Sequence, residues 1–189
     1  MIEALTAVLV LGVIVALGGP SFAAFVQNTR VESRSSAVLQ VANQARAEAT
    51  AQRRPVSVCG SLNGTACSND AAAWSTRVIS FVDCNGNGTL DAAVPAPACS
   101  DRLLSDIENG SPGVTTAVAG FNNNRFGFNT QGFLLNPARG TIRFCDGRGA
   151  RFARAWVMSP TGRLIAAVDS NVPADGVVND HTNANITCP

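Results

Sequence analysis

The chain has 189 residues, 46% of them hydrophobic, and a net charge of +1 from 14 basic and 13 acidic side chains. That length leaves room for one domain of ordinary size plus an appendage, and the balance excludes a molecule that is strongly basic or acidic as a whole. There is no Tyr, a single His (His181), no Ser/His or Cys/His pair at a supporting spacing and no phosphate loop, so the expectation is a noncatalytic protein without a small-molecule substrate.

The first predicted element is a helix over residues 1–54. From Ala4 to Phe25 only Thr6 and Ser21 are polar. As a helix this run reaches about 33 Å, enough to cross the hydrocarbon of a bilayer. Residues 1–26 therefore read as a transmembrane segment, and Gly18, Gly19 and Pro20 predict a kink or a melted turn within it. Glu3 is the sole charge ahead of Arg30, whereas a secretory signal puts positive charge before its apolar core. Residues 27–54 continue as an amphipathic helix: Val38, Val41, Ala42, Ala45 and Ala49 recur at three- and four-residue spacing, while Arg30, Arg34, Gln40, Arg46 and Arg53 fall mostly on other faces. Arg53 and Arg54 suit a helix C-terminus, and Pro55 marks its stop.

Residues 55–189 change to an alternating period. Short strands are predicted at 56–59, 74–82, 114–120, 125–128, 132–135, 141–145, 150–158 and 163–168, separated by turn clusters at Asn85 to Gly88, Thr130 to Gly132, Gly147 to Gly149 and Thr161-Gly162. The fold class is α+β, a long N-terminal helix followed by an antiparallel β-sheet domain. The last twenty residues lack periodicity. Six cysteines without a zinc-ligand spacing indicate disulfides and an oxidising compartment; local loops favour Cys59 with Cys67, Cys84 with Cys99, and Cys145 with Cys188, the last tying the tail to the sheet.

One stretch echoes a metal site. In DCNGNGTLD (83 to 91), Asp83, Asn85, Asn87 and Asp91 stand at the spacing of a D-x-N-x-N-G calcium loop, but Val94 occupies the twelfth position, which should be a bidentate Glu. The expectation is a Gly/Asn turn closing a hairpin, with loose Ca²⁺ binding as the alternative and no other cofactor. Charge is also unevenly spread. Arg139, Arg143, Arg148, Arg151, Arg154 and Arg163 give residues 139–163 a local balance of +5, whereas residues 64–110 carry −4. A basic face of this kind could bind DNA phosphates; the alternative is that opposite faces dock neighbouring subunits.

Four segments in order resemble the type IV pilin-like family, in its FimT/FimU minor-pilin and H-type pseudopilin branches: IEALTAVLVLGVIVALGGPSF, ARAEATAQRRPVSVC, FVDCNGNGTLD and FCDGRGARFARAWVMSPTGR. The resemblance implies a subunit held in the bacterial inner membrane by one helix, with a periplasmic domain. That subunit is then moved by inner-membrane assembly machinery into a pilus or periplasmic pseudopilus whose core is a bundle of such helices. It implies that Glu3 pairs with the N-terminal amine of a neighbouring pilin, since an unpaired carboxylate in hydrocarbon is strongly unfavourable. It implies further a minor pilin of a tip or initiation complex, the alternatives being an H-type pseudopilin of type II secretion and a DNA receptor for natural transformation. The DNA-binding relatives end in a G-R-x-R-like motif, of which Gly162 and Arg163 match while Ile165 replaces the last Arg. Relatives also carry a basic leader ending in Gly before a methylated, usually Phe, first residue. Here Met1 directly precedes Ile2 and Glu3, so the expectation is a start downstream of that leader.

Overall fold

A computed structural model describes residues 2–91, 100–136 and 139–188, with the backbone alone for residue 5 and residues 13–20. Among the described residues one helix, α1 (Ile2–Gln52), precedes eight strands: β1 (Val56–Ser61), β2 (Arg77–Val82), β3 (Arg102–Glu108), β4 (Thr115–Ala119), β5 (Arg125–Phe128), β6 (Gly140–Cys145), β7 (Arg154–Met158) and β8 (Leu164–Ala166). They form two antiparallel four-stranded sheets, ordered β3-β2-β1-β5 and β4-β6-β7-β8. The N-terminal helix followed by antiparallel sheets is the α+β architecture that the periodicities predict.

The small-residue stripe of α1 lets the sheets approach closely. Val31, Val38, Val41, Ala42, Ala45 and Ala49 are buried in one cluster with Val56, Val58 and Val78 of the first sheet and Ile142, Phe144 and Met158 of the second. Trp74 and the Phe ladder fill its centre: the Trp74 and Phe126 rings stack at 5.9 Å, and Phe126 meets Phe128 edge-on at 5.8 Å. Gly60 is where a 3-10 turn (Ala71–Ser75) leans on β1; a Cβ there would stand 2.6 Å from the Trp74 amide nitrogen.

Each sheet also has an outer face, too small to bury much alone, and each is covered by a disulfide-tethered segment. Cys59, Ile79 and Phe81 lie under Cys67 and Leu90 on the first sheet. Cys145, Ala153 and Ala155 lie under Ile186, Val177, Val178 and Cys188 on the second. The Cys59–Cys67 and Cys145–Cys188 bonds are both formed. Cys84 is disulfide-bonded too, but Cys99 lies outside the described residues. The longer of the two loops, with a separation of 43 residues, contributes about 4 kcal/mol in the chain-entropy account.

Several local expectations are corrected. The helix is continuous through Gly18, Gly19 and Pro20, with no melted turn, because proline removes only one amide donor. Trp74 and Ser75 belong to the 3-10 turn rather than to a strand, and residues 150–152 form another such turn before β7. Residues 132–135 are a loop with one bridge, Leu134 to Phe128. Strand β3 is absent from the predicted set. DCNGNGTLD does not close a tight hairpin: β2 pairs with β3, and the loop instead folds onto the Cys59–Cys67 segment, where Leu90 N donates to Thr65 O and Cys67 N to Gly88 O. The tail is ordered, and His181 shares a 2.9 Å hydrogen bond with Thr141 through Nδ1.

The helix ends on a residue of the wrong type. Arg53 adopts φ 52°, and Arg54 N donates to Ala49 O, a C-terminal closure in which glycine is the usual left-handed residue. An Arg there is strained by about 1–2 kcal/mol, and glycine's own entropic cost offsets part of that. Arg53→Gly is expected to stabilise the chain by about 0.5–1 kcal/mol in urea melts.

Candidate functional site

The first half of α1 leaves the domain behind. Ile2, Val8, Leu9, Val10, Leu11, Phe22 and Phe25 are each more than half exposed, a run of apolar side chains that the described sheets do not cover. Glu3 sits in the first turn, exposed, with its main-chain carbonyl accepting a hydrogen bond from the Thr6 hydroxyl. No cation pairs with it among the described residues. At 1.5 Å per residue α1 is about 76 Å long, so the exposed half projects well beyond the sheets. Among the described residues no helix is long and apolar enough to cross a membrane; the side chains of residues 13–20, in the middle of the apolar run, lie outside the description.

The second half of α1 is locked down by polar contacts that the sequence reading missed. Arg34 was expected off the buried stripe, yet it is 2% exposed. Its guanidinium donates to Trp74 O at 2.9 Å, to Glu108 O at 3.2 Å and to the Thr116 hydroxyl at 3.2 Å. It therefore ties α1 to the 3-10 turn, to the end of β3 and to β4, spanning both sheets. Burial pushes its pKa down from the ordinary arginine range to about 10. The signal was present: position 34 lies three residues after Val31 and four before Val38, on the same stripe. Beside it Trp156 Nε1 donates to Ser35 Oγ at 2.7 Å, and Arg46 donates to the carbonyls of Gly132 and Thr161. Glu32 pairs with Arg154 at 2.6 Å near the edge.

The six arginines of the 139–163 stretch do not all share one face, although Arg151 and Arg154 line a common cavity. Arg148 pairs with Asp146 at 2.6 Å and stacks on Phe152. Burial works to raise the Asp146 carboxyl, but hydrogen bonds from Arg148 and its charge outweigh it and hold the group below its ordinary value. Arg154 is opposite Phe144 and Arg143 opposite Ala155, so alternation puts the two arginines on different faces of the second sheet. Arg139, Arg151 and Arg163 are exposed without ion pairs among the described residues. No group of three or more His, Cys, Asp and Glu side chains converges among the described residues.

A family described as Type II transport protein GspH matches residues 35–162 of the chain, from the buried half of α1 to the turn before β8. The chain belongs to the GspH family. Outside that GspH-family region lie the projecting apolar half of α1 and the Cys188-tethered tail. Among solved structures, the type IV minor pilin FimU of Pseudomonas aeruginosa is similar in fold, with a TM-score of 0.54 and 19% identity over 78% of this chain and 95% of that one. A second crystal form of FimU aligns with a TM-score of 0.48 and 18% identity over 76% and 94% of the two chains. No curated protein matches. The family and fold are those of pilin-like structural proteins, whose members associate with other pilins.

Proposed function

We propose that this GspH-family chain is a noncatalytic minor pilin. A single span of the inner membrane holds it before assembly, its sheets lie in the periplasm, and it is then packed into the tip or initiation complex of a type IV pilus. The observation that carries the reading is the projecting half of α1. Seven large apolar side chains stand uncovered on a helix whose other half is bolted to both sheets, and so long a greasy surface needs either lipid or sister helices around it. Exchange of one for the other is the mechanism: van der Waals contact with like helices replaces contact with lipid tails. Glu3 sets the axial register by pairing with a neighbour's terminal amine.

The family's description as a type II transport protein favours a second reading, an H-type pseudopilin of a secretion piston, which would use the same helix in the same way. The DNA-receptor reading gains nothing from the split arginines. Affinity capture of the full chain from a cross-linked inner-membrane extract distinguishes the two assemblies. Pilus subunits and the pilus assembly platform are the expected partners; recovery of secretion-system pseudopilins alone would move the chain to the piston, and recovery of neither would overturn both.

A further inference from the structure

The loop Asp83–Asp91 is not used by the proposed assembly mechanism. It places oxygen-bearing side chains at its first, third, fifth and ninth positions, with Gly88 at the sixth. Asp83 Oδ2 accepts from the Gly88 amide at 3.0 Å and from the Ser57 hydroxyl at 2.7 Å. Gly88 takes φ +78°, the left-handed turn that brings its amide back across the loop. That bond from the first residue to the sixth closes the ring and turns the Asp83 carboxylate into it. Asp83 is 0% exposed, and its other oxygen, Oδ1, is buried with no hydrogen-bond partner. A carboxylate oxygen buried without a donor is costly unless a cation meets it. Opposite, the side-chain NH₂ groups of Asn85 and Asn87 donate to Asp91 Oδ2 at 3.1 and 2.7 Å, which draws these two heads and the Asp91 carboxylate together. The Asn85 and Asn87 carbonyl oxygens already accept from loop amides but keep a second lone pair each.

Among the described residues three other charged groups touch the loop, one of them Arg54, whose guanidinium lies 3.9 Å from Cys84 Sγ. Asp101 braces both its ends, accepting from Cys84 N and Asp91 N. Arg125 donates to the Asn87 and Gly86 carbonyls and packs against Gly88. We propose that Asp83–Asp91 is a calcium site, with Asp83 Oδ1, the carbonyl oxygens of Asn85 and Asn87 and the Asp91 carboxylate as ligands. Only two carboxylates face the ion and Arg125 opposes it, so the affinity belongs to the weak class of extracellular modules, with Kd of about 10⁻⁴ to 10⁻³ M. Binding would fix the loop that shields Ile79 and Phe81 on the first sheet.

The test is calorimetric titration of the full chain, disulfides intact in chelator-washed detergent, with CaCl₂, alongside thermal melts. One ion per chain, half-saturation in that millimolar-or-below range and a rise in Tm are expected, with no comparable shift from Mg²⁺, which dehydrates reluctantly. Asp83→Asn removes the ion but alters a buried group that folding itself uses, so Asp91→Asn, at a half-buried position, carries the comparison. It should weaken binding tenfold or more and shrink the calcium-induced rise in Tm, measured against the variant's own calcium-free melt. Absence of both heat and a Tm shift up to 10 mM Ca²⁺, an equal response to Mg²⁺, or binding by Asp91→Asn as tight as the parent would each overturn the site.

Discussion

Arg34→Met is expected to lower the stability of the chain by about 3–5 kcal/mol, measured in urea melts followed by the near-ultraviolet signals of Trp74 and Trp156. The guanidinium is buried and donates to two main-chain carbonyls and one hydroxyl from three separate elements. Met matches its stem but leaves all three acceptors without a donor, and each orphaned group costs about 1–3 kcal/mol. Replacing a buried charge by an apolar side chain can be harmless when its partners are replaced with it; here the partners are Trp74 O and Glu108 O, which remain. Arg34→Lys should fall between, because one ammonium cannot reproduce a fork aimed at three acceptors. The loss should not vary with pH in the neutral range. Burial lowers the folded-state pKa of Arg34 below the ordinary arginine value, to about 10. The unfolded chain therefore binds that proton more tightly, and stability linked to it rises only as pH climbs above about 10 towards the ordinary arginine value. A difference below about 0.5 kcal/mol between parent and Arg34→Met would show that Arg34 does not hold the helix to the sheets.

The second large effect is on assembly. With Glu3 changed to Ala, the share of the chain recovered in sheared filaments or in the secretion piston is expected to fall tenfold or more, while membrane insertion and the stability of the sheet domain stay unchanged. Glu3 lies in the exposed first turn, far along α1 from Val31, where burial against the sheets begins, so folding of the domain does not depend on it. In a bundle of apolar helices the same residue would be surrounded by hydrocarbon, where losing one member of an ion pair costs about 3–5 kcal/mol because the other charge is left unpaired. A tenfold loss needs only about 1.4 kcal/mol of this. Glu3→Asp should retain part of the incorporation and Glu3→Gln little, since charge rather than size does the pairing. Normal incorporation of Glu3→Ala would remove Glu3 from the mechanism.

What could be read in advance divides along physical lines. The helix stripe was legible because Val38, Val41, Ala42, Ala45 and Ala49 are all apolar and all buried, so period and burial agree. Arg34 breaks the binary code on that stripe, and only its position, not its type, announced the burial. Strand β3 escaped notice because it is an edge strand, RLLSDIE, with Leu103 exposed and a register shift opposite Ser80 and Phe81 that blurs its alternation. Trp74 looked like the start of a strand, since aromatic residues favour strands; tertiary packing against Gly60 and Phe126 placed it in a 3-10 turn instead. Glu3 stands out in the sequence as the one carboxylate in an apolar run, and the structure adds only that it is exposed in the first turn of α1. The dispersal of the arginines was not legible, because a net charge over consecutive residues says nothing of which face of a strand each residue takes.

The most direct measurement places a photo-crosslinking residue at Leu11, 61% exposed on the projecting half of α1, in the full chain expressed in cells that build the filament. Illumination of sheared filaments or isolated pistons is expected to join Leu11 covalently to the N-terminal helices of other pilin subunits, with lipid adducts confined to the membrane fraction. Lipid adducts alone in every fraction, with the chain missing from the assembled fibres, would contradict the exchange of bilayer for sister helices on which the proposed function rests.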